Sequence, residues 1–474
     1  MFKNKPKQLS FLELYSHIKA SALSTPESLL GLFEKFIDLS QFIPTSFYKA
    51  YYKYFGKNRN FSLESMLSAF FIQKILKLNT LTQLRAVLSK SYELRVFCNF
   101  NKVPSISTFS RFRKIFATEL EKLFHNIAIN AHTIALQHNP DAASILIFDT
   151  TGLEPKVREN NPKFIQSLLR KTSEANPDLE INQVYSLAYS SLPKTSKANP
   201  NIRLMFVNGH FCYALKFAII TNALGLPLAI LPLFNINSTS NNPIEDKAIS
   251  DSKALVPSLE KLFSYIPNNF STFIADSALD SANIYSSLKN SFNFSKIVIP
   301  LNQRAQKNSP TSDPNISISK KGIPICNKFN LQFKPEGKCQ GKNRSLRFKW
   351  LCPMSCYKNG KRICSCPQPC TSSKSGRMFY TYPDNLRSFP GIDRNSQKFL
   401  NLYKKRITIE QTIYHLKSYM GSDTLSTLDH VSSFSDLLLS AISFLLLFIL
   451  AHNIKLSCSK LTIKKFNKLK KLIA

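Results

Sequence analysis

Along the first 140 residues apolar side chains recur at helical spacing, as at Leu63, Leu67, Phe70, Phe71 and Ile75, and no alternating strand pattern interrupts them. The spacing predicts an all-α region. Within it, Val103-Pro104-Ser105-Ile106-Ser107 stops one element and starts another, because proline disfavours helix in the residue before it and serine caps helix N-termini. A helix is expected after Ser107, with Phe109, Phe112 and Phe116 on one side and Arg111, Arg113 and Lys114 projecting elsewhere. The pattern then switches. Residues 144–151, SILIFDTT, read as a short buried strand that ends in Asp149. Residues 154–202 are polar and rich in Ser, Asn, Lys and Pro, which predicts a long loop in which Lys156, Arg158 and Lys163 are available to a nucleic acid. Strand patterns return at 209–222 and 225–234, a hairpin signal around Ala223-Leu224. A helix is expected over 244–265, a buried strand over 271–275 delivering Asp276, a helix over 280–289 and a strand over 296–300. That alternation predicts a mixed α/β sheet.

From 301 to 395 the periodicity breaks into a basic, strand-flavoured segment that reads as an insertion. Between Lys334 and Arg362 there are nine Lys or Arg against the single acid Glu336, a balance suited to a phosphate backbone. Cys352, Cys356, Cys364, Cys366 and Cys370 cluster there with CxxxC and CxC spacings, unlike the paired CxxC of a zinc ribbon, so structural Zn²⁺ and free thiols both stay open. Residues 337–342, GKCQGK, are one residue short of a phosphate-binding loop and follow no parallel strand. Residues 437–451 are apolar apart from Ser440 and Ser443, shorter than the ~20 residues of a membrane span, and read as a buried core helix with Asp436 near its N-terminus.

Composition adds a partner. Lys and Arg outnumber Asp and Glu 63 to 29, a formal net charge of +34. Such a surplus points to a polyanion, since neutralising phosphates releases condensed counterions, and nothing suggests docking on lipid. The alternative is a compositional bias toward Lys without a partner. The N-terminus lacks the apolar run of a secretory signal, so a cytoplasmic protein is expected, one in which ten cysteines serve as thiols or metal ligands. The tail at 456–474 reads as a solvated basic helix or a backbone-binding arm.

The chemistry concentrates in residues 402–421. On an unbroken helix at roughly 100° per residue, Tyr403, Arg406, Glu410 and Lys417 share one face, beside an apolar stripe of Leu402, Ile409, Ile413 and Leu416. Taken alone, an ordinary surface pair of Arg406 and Glu410 explains that face equally well. Two further carboxylates, Asp149 and Asp276, stand at strand ends. Three hard oxygen ligands are what two Mg²⁺ ions about 4 Å apart need in phosphoryl transfer, a chemistry that requires no covalent nucleophile on the protein.

Tyr403, Arg406, Glu410 and Lys417 follow the spacing Tyr, two residues, Arg, three residues, Glu, six residues, Lys. In this the chain resembles the DDE transposases of bacterial insertion sequences, in the branch called the IS4 type. Asp149-Thr150-Thr151 is similar to the family's first-Asp context, and PSISTFSRFRK at 104–114 to its N-terminal helical domain. The second motif departs, with Asp276-Ser277-Ala278 carrying Ala where the family often has Gly. The resemblance implies an RNase H-like mixed sheet with flanking helices, a β-rich insertion between the second Asp and the Glu, and an all-α N-terminal domain. The 133 residues between Asp276 and Glu410 accommodate that insertion. It further implies a triad of Asp149, Asp276 and Glu410 holding Mg²⁺, with Arg406 and Lys417 on the DNA backbone and Tyr403 orienting the transposon-end strand. Double-stranded DNA, as terminal inverted repeats and target, is the implied partner, and a homodimer the implied DNA-bound state. A transposase-derived DNA-binding protein with decayed catalysis is the alternative. The expected organisation is a DNA-binding or dimerisation domain at 1–140, a catalytic core at 141–300 and 396–455, the insertion at 301–395 and the tail at 456–474.

Overall fold

The computed structural model describes residues 29–52, 59–207, 210–234, 249–302, 308–319, 322–340, 345–382, 386–387, 390–394, 396–423, 425 and 427–454. The tail at 456–474 and the start of the helix expected from 244 lie outside them. The described residues fall into two compact units, the first within Met1–Ala143, Asp149–Pro267 and Ile407–Ala474, the second within Ser144–Phe148 and Asn268–Arg406.

The first unit begins with helices α1 (Leu29–Phe36), α2 (Thr45–Tyr51), α3 (Leu63–Ile75), α4 (Leu81–Lys90), α5 (Tyr92–Phe97), α6 (Ile106–Ile115) and α7 (Ala117–His138). Polar caps set their starts: Ser62 before α3, Thr80 in a capping box with Gln83 before α4, and Ser91 before α5. Ser105, not Ser107, caps α6, its side chain accepting the Thr108 amide, so the helix starts earlier than expected. Phe109 and Phe112 of α6, with Phe116 just after it, are buried as the spacing predicted, and Phe112 stacks on Phe70 with ring centroids 5.5 Å apart.

Strand β1 (Ile145–Leu153) follows, its apolar first half wholly buried. The segment expected to be a loop instead folds into α8 (Pro162–Ala175), α9 (Ile181–Ser190), β2 (Thr195–Ser196) and β3 (Asn199–Val207). Asn161 caps α8 with Pro162 in its first turn, and Glu180 with Gln183 boxes the start of α9. The two helices pack on each other, yet α8 has no fully buried residue, which is why so polar a stretch reads as a loop. Next come β4 (His210–Asn222) and β5 (Pro227–Pro232), the expected hairpin, paired antiparallel from Phe217 with Pro232 to Thr221 with Pro227. Helix α10 (Asp251–Phe263) completes this part.

In the second unit the front of β1 pairs in parallel with β6 (Thr272–Ile274), and β6 with β7 (Lys296–Val298). Between these two strands lies α11 (Ala282–Ser286), one turn of π-helix following it. The sheet runs in the order β2-β3-β4-β1-β6-β7, with β5 also on β4. Its central path, β5-β4-β1-β6-β7, is that of an RNase H-like core, so the mixed sheet expected from sequence is the one observed. The insertion is β-rich, with a four-stranded sheet, an antiparallel sheet of Lys334–Cys339, Arg347–Leu351 and Met378–Thr381, and a hairpin of Ser355–Lys358 with Lys361–Cys364. Its small core gathers Ile316, Cys326, Phe333, Trp350 and Cys352.

Residues 402–421 are not one helix. They pass through the end of α12 (Gln397–Tyr403), a 3₁₀ turn at Lys404–Arg406, α13 (Ile407–Tyr414) and a π turn at His415–Tyr419. Each change of winding resets the rotation per residue, so the single face drawn from a constant 100° does not hold. Helix α14 (His430–Asn453) is long and apolar enough to cross a membrane, and from Ser432 to Ala451 it is buried, packing on α7, α3 and α6, as a core helix should be. Asp429 caps it, and Asp436 sits in its second turn rather than at its start.

Candidate functional site

Four buried residues, Ile145 to Phe148, fix the backbone that delivers Asp149, which is half-buried. Asp149 Oδ1 accepts the Thr150 amide at 2.8 Å. The Thr150 hydroxyl in turn donates to Asp251 Oδ1 at 2.8 Å, and Lys216 Nζ of β4 lies 2.7 Å from the same oxygen while donating to the Ile249 carbonyl. A chain of side chains thus sets the backbone beside Asp149. Thr150, Lys216 and Asp251 escaped the sequence reading because their link is tertiary; the Thr after the first Asp was the one visible signal.

Glu410 lies in the same unit, exposed on α13. The helix is anchored on either side of it by Ile409 and Thr412, both fully buried, and the Thr412 hydroxyl is shared between the carbonyls of Gly225 and Thr408, 2.9 Å from each. That anchoring aims Glu410 outward. Lys417, expected on DNA, instead donates to the Gly152 carbonyl of β1 at 2.7 Å. Burial lowers its pKa, against the pull of Glu154, Cys212 and Asp423. That hydrogen bond ties it to the strand that bears Asp149.

Asp276, in the second unit, stands just past β6 at the cap of a 3₁₀ turn, Ser277–Leu279, and is half-buried. Four residues on, Asp280 has another job. Arg387 grips it with two hydrogen bonds of 2.9 and 2.7 Å, and the Asn302 amide adds a third. Burial alone would raise the Asp280 carboxyl, but these donors outweigh it and hold it below the usual range. Tyr403 is half-buried with its ring stacked on Phe399, and Arg406 is half-buried at the end of its 3₁₀ turn.

Of the basic residues expected on DNA from α6, Arg111 and Lys114 are exposed, and Arg111 lines a cavity with Arg59, Tyr51, Phe61, Phe112 and Phe116. Arg113 corrects the expectation. It is 4% exposed and bonds Asp436 of α14 at 3.1 Å, because its position on α6 turns toward the core helix rather than away from the phenylalanine side. Cys352, Cys356, Cys364, Cys366 and Cys370 are free cysteines, and no three of their sulfurs lie within 4.8 Å of one another. Cys352 is drawn into the insertion's apolar core.

Comparison with known proteins gives the class, a DDE-type transposase. Residues 203–446, more than half of the chain, match the transposase DDE domain, and residues 19–115 match a transposase domain called DUF772. The chain belongs to the transposase DDE domain family. No curated protein matches it. Among solved structures it is similar to a piggyBac transposase synaptic complex with hairpin DNA, at 11% identity and a TM-score of 0.38, over 94% of this chain and 78% of that one. The fold assignment rests on the strand order, not on that likeness.

Proposed function

We propose that the chain is an IS4-type transposase that cleaves the ends of its own element and joins them to target DNA, with Asp149, Asp276 and Glu410 as the catalytic triad. The observation that carries this reading is that the buried runs of two parallel strands lead into Asp149, midway along β1, and Asp276, just past β6, while Glu410 is exposed on α13 beside the buried Ile409 and Thr412. The family uses divalent metal, and three carboxylates fit Mg²⁺, which prefers hard oxygen ligands. Bound there, two Mg²⁺ ions would lower the pKa of the attacking water or 3′-hydroxyl and stabilise the leaving oxygen.

The chain's own residues supply positioning. Thr150, Asp251 and Lys216 fix the backbone next to Asp149, and Lys417 clamps Gly152 three residues further on. Arg111 and Lys114 on α6, Lys156, Arg158 and Lys163 before and at the start of α8, and Tyr403 with Arg406 are the contacts we assign to double-stranded DNA. The partner DNA is the terminal inverted repeats and the target, bound by a homodimer in the cytoplasm.

The test uses purified protein and DNA bearing the inverted repeats that flank its coding region. Mg²⁺- or Mn²⁺-dependent cutting at the repeat ends is expected. Absence of cutting, with Asp149→Ala indistinguishable from wild type, overturns the enzyme reading, and binding measured on the same DNA separates it from a decayed DNA-binding protein.

A further inference from the structure

Five residues beyond Asp149, just past the end of β1, stands Glu154. On β4, which neighbours β1 in the sheet, His210 and Cys212 are two residues apart and so share a face. The Glu154 carboxylate, the His210 ring nitrogen and the Cys212 sulfur all lie within 4.8 Å of one another. His210 Nε2 is 3.3 Å from Glu154 Oε2, and the Cys212 thiol hydrogen-bonds to the same carboxylate. Cys212 is buried, Glu154 half-buried and His210 exposed, which makes a floor and an open mouth.

We propose that Glu154, His210 and Cys212 bind a zinc-class divalent cation, separate from the carboxylate triad. One sulfur, one nitrogen and one oxygen suit Zn²⁺ and not the hard, all-oxygen preference of Mg²⁺, so the two kinds of site select different ions. Bonds of about 2.0–2.3 Å in tetrahedral geometry put ligand atoms about 3.3–3.8 Å apart, so the donors need move only by about 1 Å. Three protein ligands leave a fourth position at the open mouth. On binding, the Cys212 S–H bond breaks, an S–Zn bond forms and the proton leaves to solvent, so the thiolate and Glu154 carboxylate neutralise the ion. Lys417 already lies near Glu154 and Cys212 while holding Gly152, so the bound ion and the Lys417 clamp brace the same end of β1. The site is a clip on the strand that presents Asp149.

The experiment uses the full-length protein, stripped with chelator, reloaded with Zn²⁺, freed of excess metal and assayed for zinc per chain by mass spectrometry. Zinc is read as the difference between each variant and wild type. His210→Ala is the decisive one, since His210 is exposed and its loss leaves the core intact. The expected result is one zinc fewer per chain in His210→Ala and in Cys212→Ser, recovery of that zinc in His210→Cys, and no change in Cys366→Ser. Cobalt substituted for zinc should show a thiolate charge-transfer band in wild type that weakens in both variants. Equal zinc in wild type and His210→Ala overturns the proposal.

Discussion

Asp436, in the second turn of the core helix, is a buried carboxylate between two cations. Its side chain is 10% exposed and meets Lys74 Nζ at 2.7 Å and Arg113 Nη1 at 3.1 Å, themselves 2% and 5% exposed. At an effective dielectric of about 20 these contacts are worth roughly 6 and 5 kcal/mol of gross attraction, against several kcal/mol for burying each ion. The cluster therefore holds two cations on one anion. Asp436→Asn strips both cations of their partner and is expected to cost about 3–5 kcal/mol. Lys74→Met leaves a balanced Asp436–Arg113 pair and an apolar stem of similar length, so its expected cost is only about 1 kcal/mol. Urea unfolding followed by far-ultraviolet circular dichroism checks this, the Asn variant losing more than about 1 M in midpoint at a slope of about 3 kcal/mol/M. The sign with pH is also set. Burial pushes the Asp436 carboxyl up, but Lys74 and Arg113 outweigh it and lower its folded pKa below 3.8. Its contribution is therefore present above about pH 4 and lost as pH falls through the folded value. Asp436→Asn should flatten the acid limb. Equal losses in Lys74→Met and Asp436→Asn would refute the charge-balance reasoning.

Thr412→Val removes the hydroxyl that ties α13 to the Gly225 carbonyl, and should cost about 1 kcal/mol in urea unfolding while slowing DNA cleavage through Glu410. Gly391 has a φ of +84°, and a Cβ there would overlap the Ser295 carbonyl oxygen, so Gly391→Ala should destabilise the second unit by more than about 2 kcal/mol, read from the fluorescence of Trp350. His125 and His132 are held neutral by burial, both pushed down to about 4 from 6.5, so stability present above pH 6.5 should be lost as pH falls toward 4. His132→Leu should flatten that limb in denaturation series across the window.

Local pattern carried the helical N-terminal region, the buried strand leading into Asp149, the hairpin of β4 and β5 and the core helix, because each buries a face whose period survives in the sequence; it missed that β1 runs on past Asp149 to Leu153. It failed where winding changed or burial came from afar. The 3₁₀ turn at Lys404–Arg406 and the π turn at His415–Tyr419 leave no composition signal, so the face drawn through Tyr403 and Lys417 assumed a regularity the chain lacks. Helices α8 and α9 pack chiefly on each other and so keep a loop-like polarity. Arg113 and Lys417 looked like surface cations because the carboxylate and the carbonyl that take them are 323 and 265 residues away in sequence. Spacing around Glu410 marked the candidate site; the Thr150–Asp251–Lys216 support needed three dimensions.

The triad itself is tested most directly by single-turnover cleavage of repeat-end DNA with Asp149→Asn, Asp276→Asn and Glu410→Gln, each first shown to bind that DNA as wild type does. The account predicts that all three keep binding and lose cleavage by at least about 10³-fold, since correctly held metal ions supply several kcal/mol of transition-state stabilisation. Wild-type cleavage by any one of the three would contradict it.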